Sequence, residues 1–249
     1  MGRAPAGSGG LGRCPPLAHW QQAVALLQWL DLLDGDGAIT DHGKAARQLG
    51  THPRLAHMVL RGRALGLAGP AAELAALLEE RDLLGPGRGA DLHERLRVLR
   101  GEQAPVGVDP ARLKAVRQAA RRLSPEAGQG ELPGEAEVGR LLALAYPDRI
   151  ARRRPGPAPR YQLSNGRGAA LREDDPLARH DWLVAADLDG QAREAAIYLA
   201  APVDRAVAGG RLYLKRLTRV GDGFTDDALF AADLVRFRRR FATLYLDSA

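Results

Sequence analysis

The chemistry suggested by this sequence is concentrated in one arginine-rich segment. From residue 149 to residue 172 the chain carries seven arginines and no acidic residue. Guanidinium groups bind phosphate through paired N–H donors, and nearby glycines let the backbone approach a strand closely. The segment therefore predicts contacts to a nucleic-acid backbone rather than readout of base edges. The candidate binding residues are Arg149, Arg152, Arg153, Arg154, Arg160, Asn165 and Arg167.

The same segment has a second interpretation. Residues 152–160 combine arginine with proline and glycine, a composition that is also typical of a solvated linker. Tyr161 and Trp182 are candidates for stacking on bases, although aromatic residues in a small barrel more often belong to its core. The exposure of the individual side chains has to decide between these interpretations.

Nucleotide hydrolysis is not expected of this chain. A phosphate-binding P-loop has four residues between its first Gly and its Gly-Lys-Ser/Thr end. Five residues separate Gly37 from Gly43 and Lys44, and Ala45 stands where a hydroxyl would hold magnesium. A DExH run is also absent from the sequence. The sequence therefore predicts no catalytic residue and no cofactor-binding residue.

The spacing of the carboxylates and histidines does not match common metal sites. Asp34 and Asp36 imitate the start of a calcium loop, but the Gly and Glu that such a loop needs at its sixth and twelfth positions are missing. His52 and His57 are five residues apart, which does not place them on one helical face. The sequence predicts no metal-binding residue.

The overall composition is basic. Lys and Arg number 36 against 30 Asp and Glu, which gives a net charge of +6. This excess favours a polyanionic partner, although Arg in place of Lys on ordinary solvated faces gives the same balance. The single cysteine, Cys14, cannot form an internal disulfide, which predicts a reducing, cytoplasmic location. Gln28 and Asp31 interrupt the apolar run at residues 23–33, so we expect no membrane span.

The first part of the chain has an irregular start and then a pair of helices. Residues 1–19 are rich in Gly, Pro and Ala and predict a disordered or mis-joined leader. Residues 20–52 contain a helical apolar pattern, a turn at residues 34–37 and a second helix that Thr40 is placed to cap. We treat residues 20–52 as a separate unit.

The rest of the chain changes from helix to strand. Residues 53–151 repeat helical periodicity between Gly and Pro stops, which predicts a helical bundle. Residues 152–249 begin with the arginine-rich segment and continue as short strands, which predicts a small β-rich domain. The predicted class is therefore α+β.

Several runs of residues carry a family resemblance. GRLLALAYPDRIA (139–151), YQLSNGRGA (161–169) and WLVAADLDG (182–190) follow one another in the order found near the C-terminus of HrpB-type helicases. DGAITDHG (36–43) and HPRLA (52–56) are similar to the end of the winged-helix domain and the start of the bundle in DExH helicases. The sequence thus resembles HrpB-type DExH-box ATP-dependent helicases.

This resemblance implies both an architecture and a role. It implies a winged-helix remnant at residues 20–52, a helicase-associated helical bundle at 53–151 and a small OB-like β-barrel after the arginine-rich segment. Family members place two RecA-like ATPase domains, which use ATP and Mg²⁺, before these modules. The resemblance implies a fragment or split product of such a helicase. Its arginines would guide single-stranded nucleic acid, with RNA favoured over DNA, and upstream RecA-like domains would be partners.

Two other functions remain open from the sequence. The chain is also compatible with a stand-alone nucleic-acid-binding adaptor that uses the same arginines without an ATPase partner. Alternatively, it is a protein-interaction scaffold in which the bundle binds a protein and the basic segment keeps the chain soluble. Binding of single-stranded RNA at two salt concentrations distinguishes the scaffold from the other two.

Overall fold

The computed structural model describes residues 17–85, 87–102, 107–189 and 194–205. Within them the chain has seven α-helices followed by a five-stranded barrel, which confirms the α+β class. The predicted leader lies outside the described residues up to position 16, as does the chain from residue 206. The helices are α1 (Leu17–Trp29), α2 (Asp41–Gln48), α3 (Pro53–Ala64), α4 (Ala68–Glu79), α5 (Leu92–Arg100), α6 (Pro110–Leu123) and α7 (Glu135–Ala145). The strands are β1 (Ile150–Arg153), β2 (Arg160–Leu163), β3 (Gly168–Ala170), β4 (Trp182–Leu188) and β5 (Glu194–Pro202).

A tight turn joins the first two helices. Asp34 Oδ1 accepts hydrogen bonds from the backbone N–H groups of Asp36 at 3.0 Å and Ala38 at 2.9 Å. Thr40 then caps α2, because its Oγ accepts the N–H of Gly43 at 2.9 Å. The predicted turn and the predicted cap are both confirmed.

Two histidines connect α2 to α3. His42 Nε2 lies 2.9 Å from His57 Nδ1, and the two rings meet edge to face with centroids 5.0 Å apart. A hydrogen bond between two ring nitrogens requires one of them to lack a proton. Burial, with a smaller contribution from His42, lowers the pKa of His57 to about 3. Burial, reinforced by the contact with His42, therefore keeps the His57 imidazole neutral near pH 7.

Helices α3 to α7 form a bundle with an Ala- and Leu-rich core. Leu74, Leu96 and Leu141 are fully buried where α4, α5 and α7 meet. Asp91 caps α5 by accepting the N–H of His93, and Asp109 caps α6 in the same way through the N–H of Ala111. Among the described residues, no helix has both the length and the apolar character needed to cross a membrane.

The strands after the bundle close into a barrel. Their order around it is β1-β2-β3-β5-β4, with β1 also paired to β4. The β3–β5 pair is parallel and the other pairs are antiparallel. Side chains alternate between the inside and outside of each strand, so Tyr161, Leu163 and Leu183 fill the interior of the barrel.

The interpretation of residues 152–160 as a linker is wrong. Arg152 and Arg153 belong to β1, and Arg160 begins β2. The two strands pair with Arg152 opposite Gln162, so residues 154–159 are the loop of a hairpin. Proline lacks the N–H that a strand ladder needs, which explains why the prolines lie in the loop between the strands. The predicted boundary between residues 151 and 152 also falls inside β1.

The bundle and the barrel share one core. Ile150, Val184 and Leu199 from the outer side of the barrel belong to the same buried cluster as the bundle leucines. Gly139 of α7 lies directly against the backbone at Pro202, and a Cβ at position 139 would overlap the Pro202 carbonyl oxygen. The two parts therefore pack as a continuous body rather than as separate units.

An ion pair fixes the joint between the bundle and the barrel. Arg54, at the start of α3, forms two hydrogen bonds with Asp148, at 2.6 and 2.9 Å, and a third with the carbonyl of Ala145 at 2.9 Å. The guanidinium groups of Arg54 and Arg149 lie 5.3 and 5.0 Å from the centroid of the Tyr146 ring. Bidentate arginine–carboxylate pairs combine charge with fixed geometry, so this contact sets the direction of the chain as it enters β1.

We predict that Asp148→Ala destabilises the bundle and the barrel together. The side chains of Arg54 and Asp148 are 10% and 19% exposed, so the substitution leaves a buried guanidinium without its carboxylate. The expected loss in the free energy of unfolding is about 3 kcal/mol. Calorimetry should show a single transition that moves to lower temperature. Asp174→Ala, which breaks the exposed pair with Arg172, is the control and should cost under about 1 kcal/mol. Two transitions, with the bundle unaffected, would contradict the shared core.

A second prediction concerns pH. Between the folded pKa of about 3 and the usual value of 6.5, the unfolded chain binds a proton at His57 that the folded chain does not. The free energy of unfolding therefore falls as the pH drops through this window, by at most about 1.4 kcal/mol per unit for one proton. His57→Gln should lose less free energy of unfolding than the wild type between pH 6.5 and pH 4, a range that lies within this window. Urea titrations at several pH values measure the difference. His180→Gln, on the barrel, is the control for removal of an imidazole. Equal slopes of unfolding free energy against pH in the wild type and in His57→Gln would refute the account.

Candidate nucleic-acid interface

The hairpin of β1 and β2 brings part of the predicted site together. Arg152 lies opposite Gln162 of β2 and beside Trp182 of β4 in the strand register. Its guanidinium carbon is 5.8 Å from the centroid of the Trp182 ring. This distance is within the range of a cation–π contact, so the ring helps to hold the arginine against the barrel.

The loop end of the hairpin adds two more exposed arginines. Arg154 Nη2 donates to Gln162 Oε1 at 3.0 Å, and the backbone N–H of Arg154 donates to the carbonyl of Arg160 at 2.8 Å. Arg154 and Arg160 are therefore neighbours at one end of the paired strands. We call the surface formed by Arg152, Arg154, Arg160, Gln162 and Trp182 the outer basic face.

An acidic side chain borders this face. Arg160 Nε is 3.5 Å from Glu194 Oε2, with the two side chains 61% and 35% exposed. An ion pair this open and this long contributes little stability and is screened by salt. Arg160 therefore keeps most of its capacity to interact with a phosphate group.

The predicted residues Asn165 and Arg167 lie in the β2–β3 turn, at the other end of β2. Asn165 Oδ1 accepts the backbone N–H of Arg167 at 3.0 Å, and the backbone N–H of Asn165 donates to the carbonyl of Asp148 at 3.2 Å. Gly166 adopts a φ of 88°, which glycine permits without strain. In this structure Asn165 shapes the turn and Arg167 is exposed next to it.

The structure does not place Arg149 and Arg153 on the outer basic face. Arg149 is half-buried and donates to the carbonyl of Ala186 at 2.7 Å, and burial lowers its pKa below the usual value. Arg153 points inward along β1 and donates to the carbonyl of Ala178. Both guanidinium groups are engaged within the chain. Arg149 ends the short helical turn at residues 147–149, whereas Arg153 lies on the inward side of β1 because neighbouring side chains of a strand point to opposite sides.

The two candidate stacking residues have different positions. Tyr161 is fully buried in the barrel, where its hydroxyl donates to the carbonyl of His180 at 3.0 Å, and burial raises its pKa to about 12. The stacking interpretation is therefore wrong for Tyr161. Trp182 is half-buried beneath Arg152 at the surface. Of this pair, Trp182 is the one within reach of a ligand on the outer basic face.

The sequence analysis missed a cleft between the bundle and the barrel. Its volume is about 770 Å³, and its lining includes the exposed residues Arg81, Arg88 and Tyr198. Glu79, Glu80, Asp82 and Asp187 also line it, and Arg95 is paired with Asp82. The cleft has mixed charge, so it suits phosphate less well than the outer basic face. The available signal in the sequence was a tyrosine, Tyr198, within the apolar run at residues 195–202 of β5.

The arrangement of the exposed arginines is suited to binding a ligand rather than to catalysis. Three exposed guanidinium groups lie along a short hairpin, and the strand residues of β2 span about 10 Å at 3.3 Å per residue. Such a row can contact successive phosphates of an extended strand while an aromatic ring contacts a base. Within the described part of the chain, this row offers charge and shape but no nucleophile–base pair.

Comparisons with known proteins agree with this architecture. No protein-family model matches the chain. It is 38% identical over 192 residues to the ATP-dependent RNA helicase HrpB of Escherichia coli (strain K12), a match covering 76% of the chain and 22% of the helicase. The crystal structure of the E. coli DExH-box NTPase HrpB matches 78% of the chain at 35% identity with a TM-score of 0.62. That of the E. coli DEAH/RHA helicase HrpB matches 77% at 33% identity with a TM-score of 0.58.

The extent of these matches defines what the chain corresponds to. The chain spans 22% of the length of the curated helicase and 22% of the length of each of the two solved HrpB structures. The sequence match and the structural match each cover about three quarters of the chain. In sequence and in fold, the chain therefore matches part of an HrpB-type helicase, and it fits the C-terminal region of that family.

Proposed function

We propose that this chain guides single-stranded nucleic acid for an HrpB-type helicase, through the outer basic face of its barrel. The observation that carries the proposal is the placement of Arg152, Arg154 and Arg160 as exposed neighbours on one rigid hairpin. The paired strands keep the three guanidinium groups close together, so binding a strand of nucleic acid requires no ordering of the backbone that carries them. RNA is the proposed strand, since the curated relative is named an RNA helicase.

The topology of the barrel supports this role. Five strands closed in the order β1-β2-β3-β5-β4 agree with an OB-like barrel, a fold that binds oligonucleotides on its β2–β3 side and in its β1–β2 loop. Arg154 is the first residue of that loop, Arg160 begins the strand after it, and Gln162 lies on β2. Residues 20–52, which contain most of α1 and all of α2, are proposed to be the winged-helix remnant.

The division of labour follows from these positions. The barrel contributes binding, and we propose that hydrolysis of ATP with Mg²⁺ belongs to RecA-like domains of the parent helicase. Contacts to the sugar-phosphate backbone do not depend on base identity, so strand guidance of this kind works on any sequence. We propose that the protein acts in the cytoplasm.

The outer basic face predicts a specific salt dependence of binding. Each phosphate neutralised on a single strand contributes about 0.7 to the slope of log K against log salt. Replacing Arg152, Arg154 and Arg160 with Ala removes three such contacts and should therefore lower the slope by about 2. Fluorescence anisotropy with two unrelated RNA oligonucleotides measures the slope, and the loss should be equal for both.

A matched variant controls for the loss of net charge. Arg97, Lys114 and Arg121 are exposed on α5 and α6, and their replacement by Ala removes an equal number of positive charges, three, from the bundle. This control should keep a slope close to that of the wild type. If the barrel variant remains folded by circular dichroism and its slope is unchanged, the proposal fails and the scaffold interpretation is favoured. An equal loss in both variants would point to general charge rather than to this face.

A further inference from the structure

Three potential metal ligands meet where two helices of the bundle begin. Asp91 precedes α5, His93 lies in its first turn, and Glu135 begins α7. Each residue offers one ligand atom, and the three atoms lie within 4.8 Å of one another. Asp91 and His93 are half-buried and Glu135 is exposed. The cluster is therefore accessible to an ion from solvent on one side.

His93 is oriented as a metal-bound histidine usually is. Its Nε2 lies 2.9 Å from the carbonyl oxygen of Pro133. Because a carbonyl oxygen can only accept, Nε2 must carry the proton, and the lone pair of the neutral ring is then on Nδ1. Metal-ligating histidines almost always donate their other N–H in this manner, which fixes both the tautomer and the ring orientation.

The aspartate is also held in place by the backbone. Asp91 Oδ1 accepts the N–H of His93 at 2.9 Å, and an isolated bridge pairs Asp91 with Ala200 of β5. Two carboxylates this close have a combined charge of −2 that a cation would neutralise.

We propose that Asp91, His93 and Glu135 bind a divalent transition-metal cation of the Zn²⁺ class. An imidazole with two carboxylates suits Zn²⁺ better than Mg²⁺, which prefers oxygen ligands throughout. Bond lengths of about 2.0 to 2.2 Å place tetrahedral ligands about 3.3 Å apart, so the cluster must contract slightly. Glu135 is exposed and can supply this movement by rotating its side chain. Water would fill the remaining position.

The bound ion would join three elements of the fold. Asp91 is paired with β5, His93 belongs to α5, and Glu135 belongs to α7. A cation bridging them would fasten the bundle to the barrel strand that packs against it. The site lies outside the outer basic face, so this role is independent of the proposed strand guidance. The sequence analysis predicted no metal site, since Glu135 is separated from His93 by more than 40 positions.

Calorimetric titration of the metal-free protein with Zn²⁺ tests the site. The wild type should bind one ion, and the melting temperature should rise by about 5 °C or more at a hundredfold excess over Kd. Glu135→Gln should weaken binding by about tenfold or more, since even loss of an outer-shell partner of a metal ligand costs that much. His93→Gln should do the same, and both variants should melt near the wild-type temperature without metal.

Glu131→Gln is the matched control, because Glu131 is an exposed carboxylate in the loop before α7. It should bind Zn²⁺ like the wild type. Co²⁺ in place of Zn²⁺ gives the site an absorption spectrum. The bands of tetrahedral Co²⁺ should be present in the wild type and absent in Glu135→Gln. Zn²⁺ binding that is absent in the wild type would overturn the proposal. Binding that is equal in Glu135→Gln, His93→Gln and the control would also overturn it.

Discussion

The ion pair between Arg54 and Asp148 determines how the rest of the structure is arranged. It ties the first turn of α3 to the short turn at residues 147–149 that leads into β1, and Tyr146 packs against the guanidinium groups of both Arg54 and Arg149. A mostly buried arginine is stable only when its hydrogen bonds are satisfied, and here a carboxylate and a backbone carbonyl satisfy them. Because β1 begins two residues after Asp148, this pair sets the position of the hairpin.

The direction of each arginine then follows from its place on that hairpin. Arg152 faces outward beside Trp182, whereas Arg153, the next residue, faces inward and bonds to Ala178. The backbone contact of Gly139 with Pro202 and the shared apolar core keep the barrel from rotating on the bundle. Proposed contacts to a strand therefore come from a surface whose orientation is fixed before the strand arrives, which reduces the entropy lost on binding.

Local features of the sequence predicted much of the fold. The helical periodicity of the bundle, the Thr40 cap and strands at Tyr161 and Trp182 depend on neighbouring residues, and the structure contains all of them. Contacts between distant residues were not predictable, since no local pattern shows which partner the fold brings near. The Arg54–Asp148 pair, 94 residues apart, and the inward position of Arg153 are examples.

The central claim is that nucleic acid contacts the outer basic face, and cross-linking locates such a contact directly. A single-stranded RNA containing 4-thiouridine can be irradiated in complex with the protein, and mass spectrometry then identifies the attached peptides. The account predicts cross-links to the hairpin at residues 152–162 and to Trp182, which fade when unlabelled RNA competes. Cross-links confined to the cleft around Arg88 and Tyr198, or to the bundle surface of α6, would contradict it.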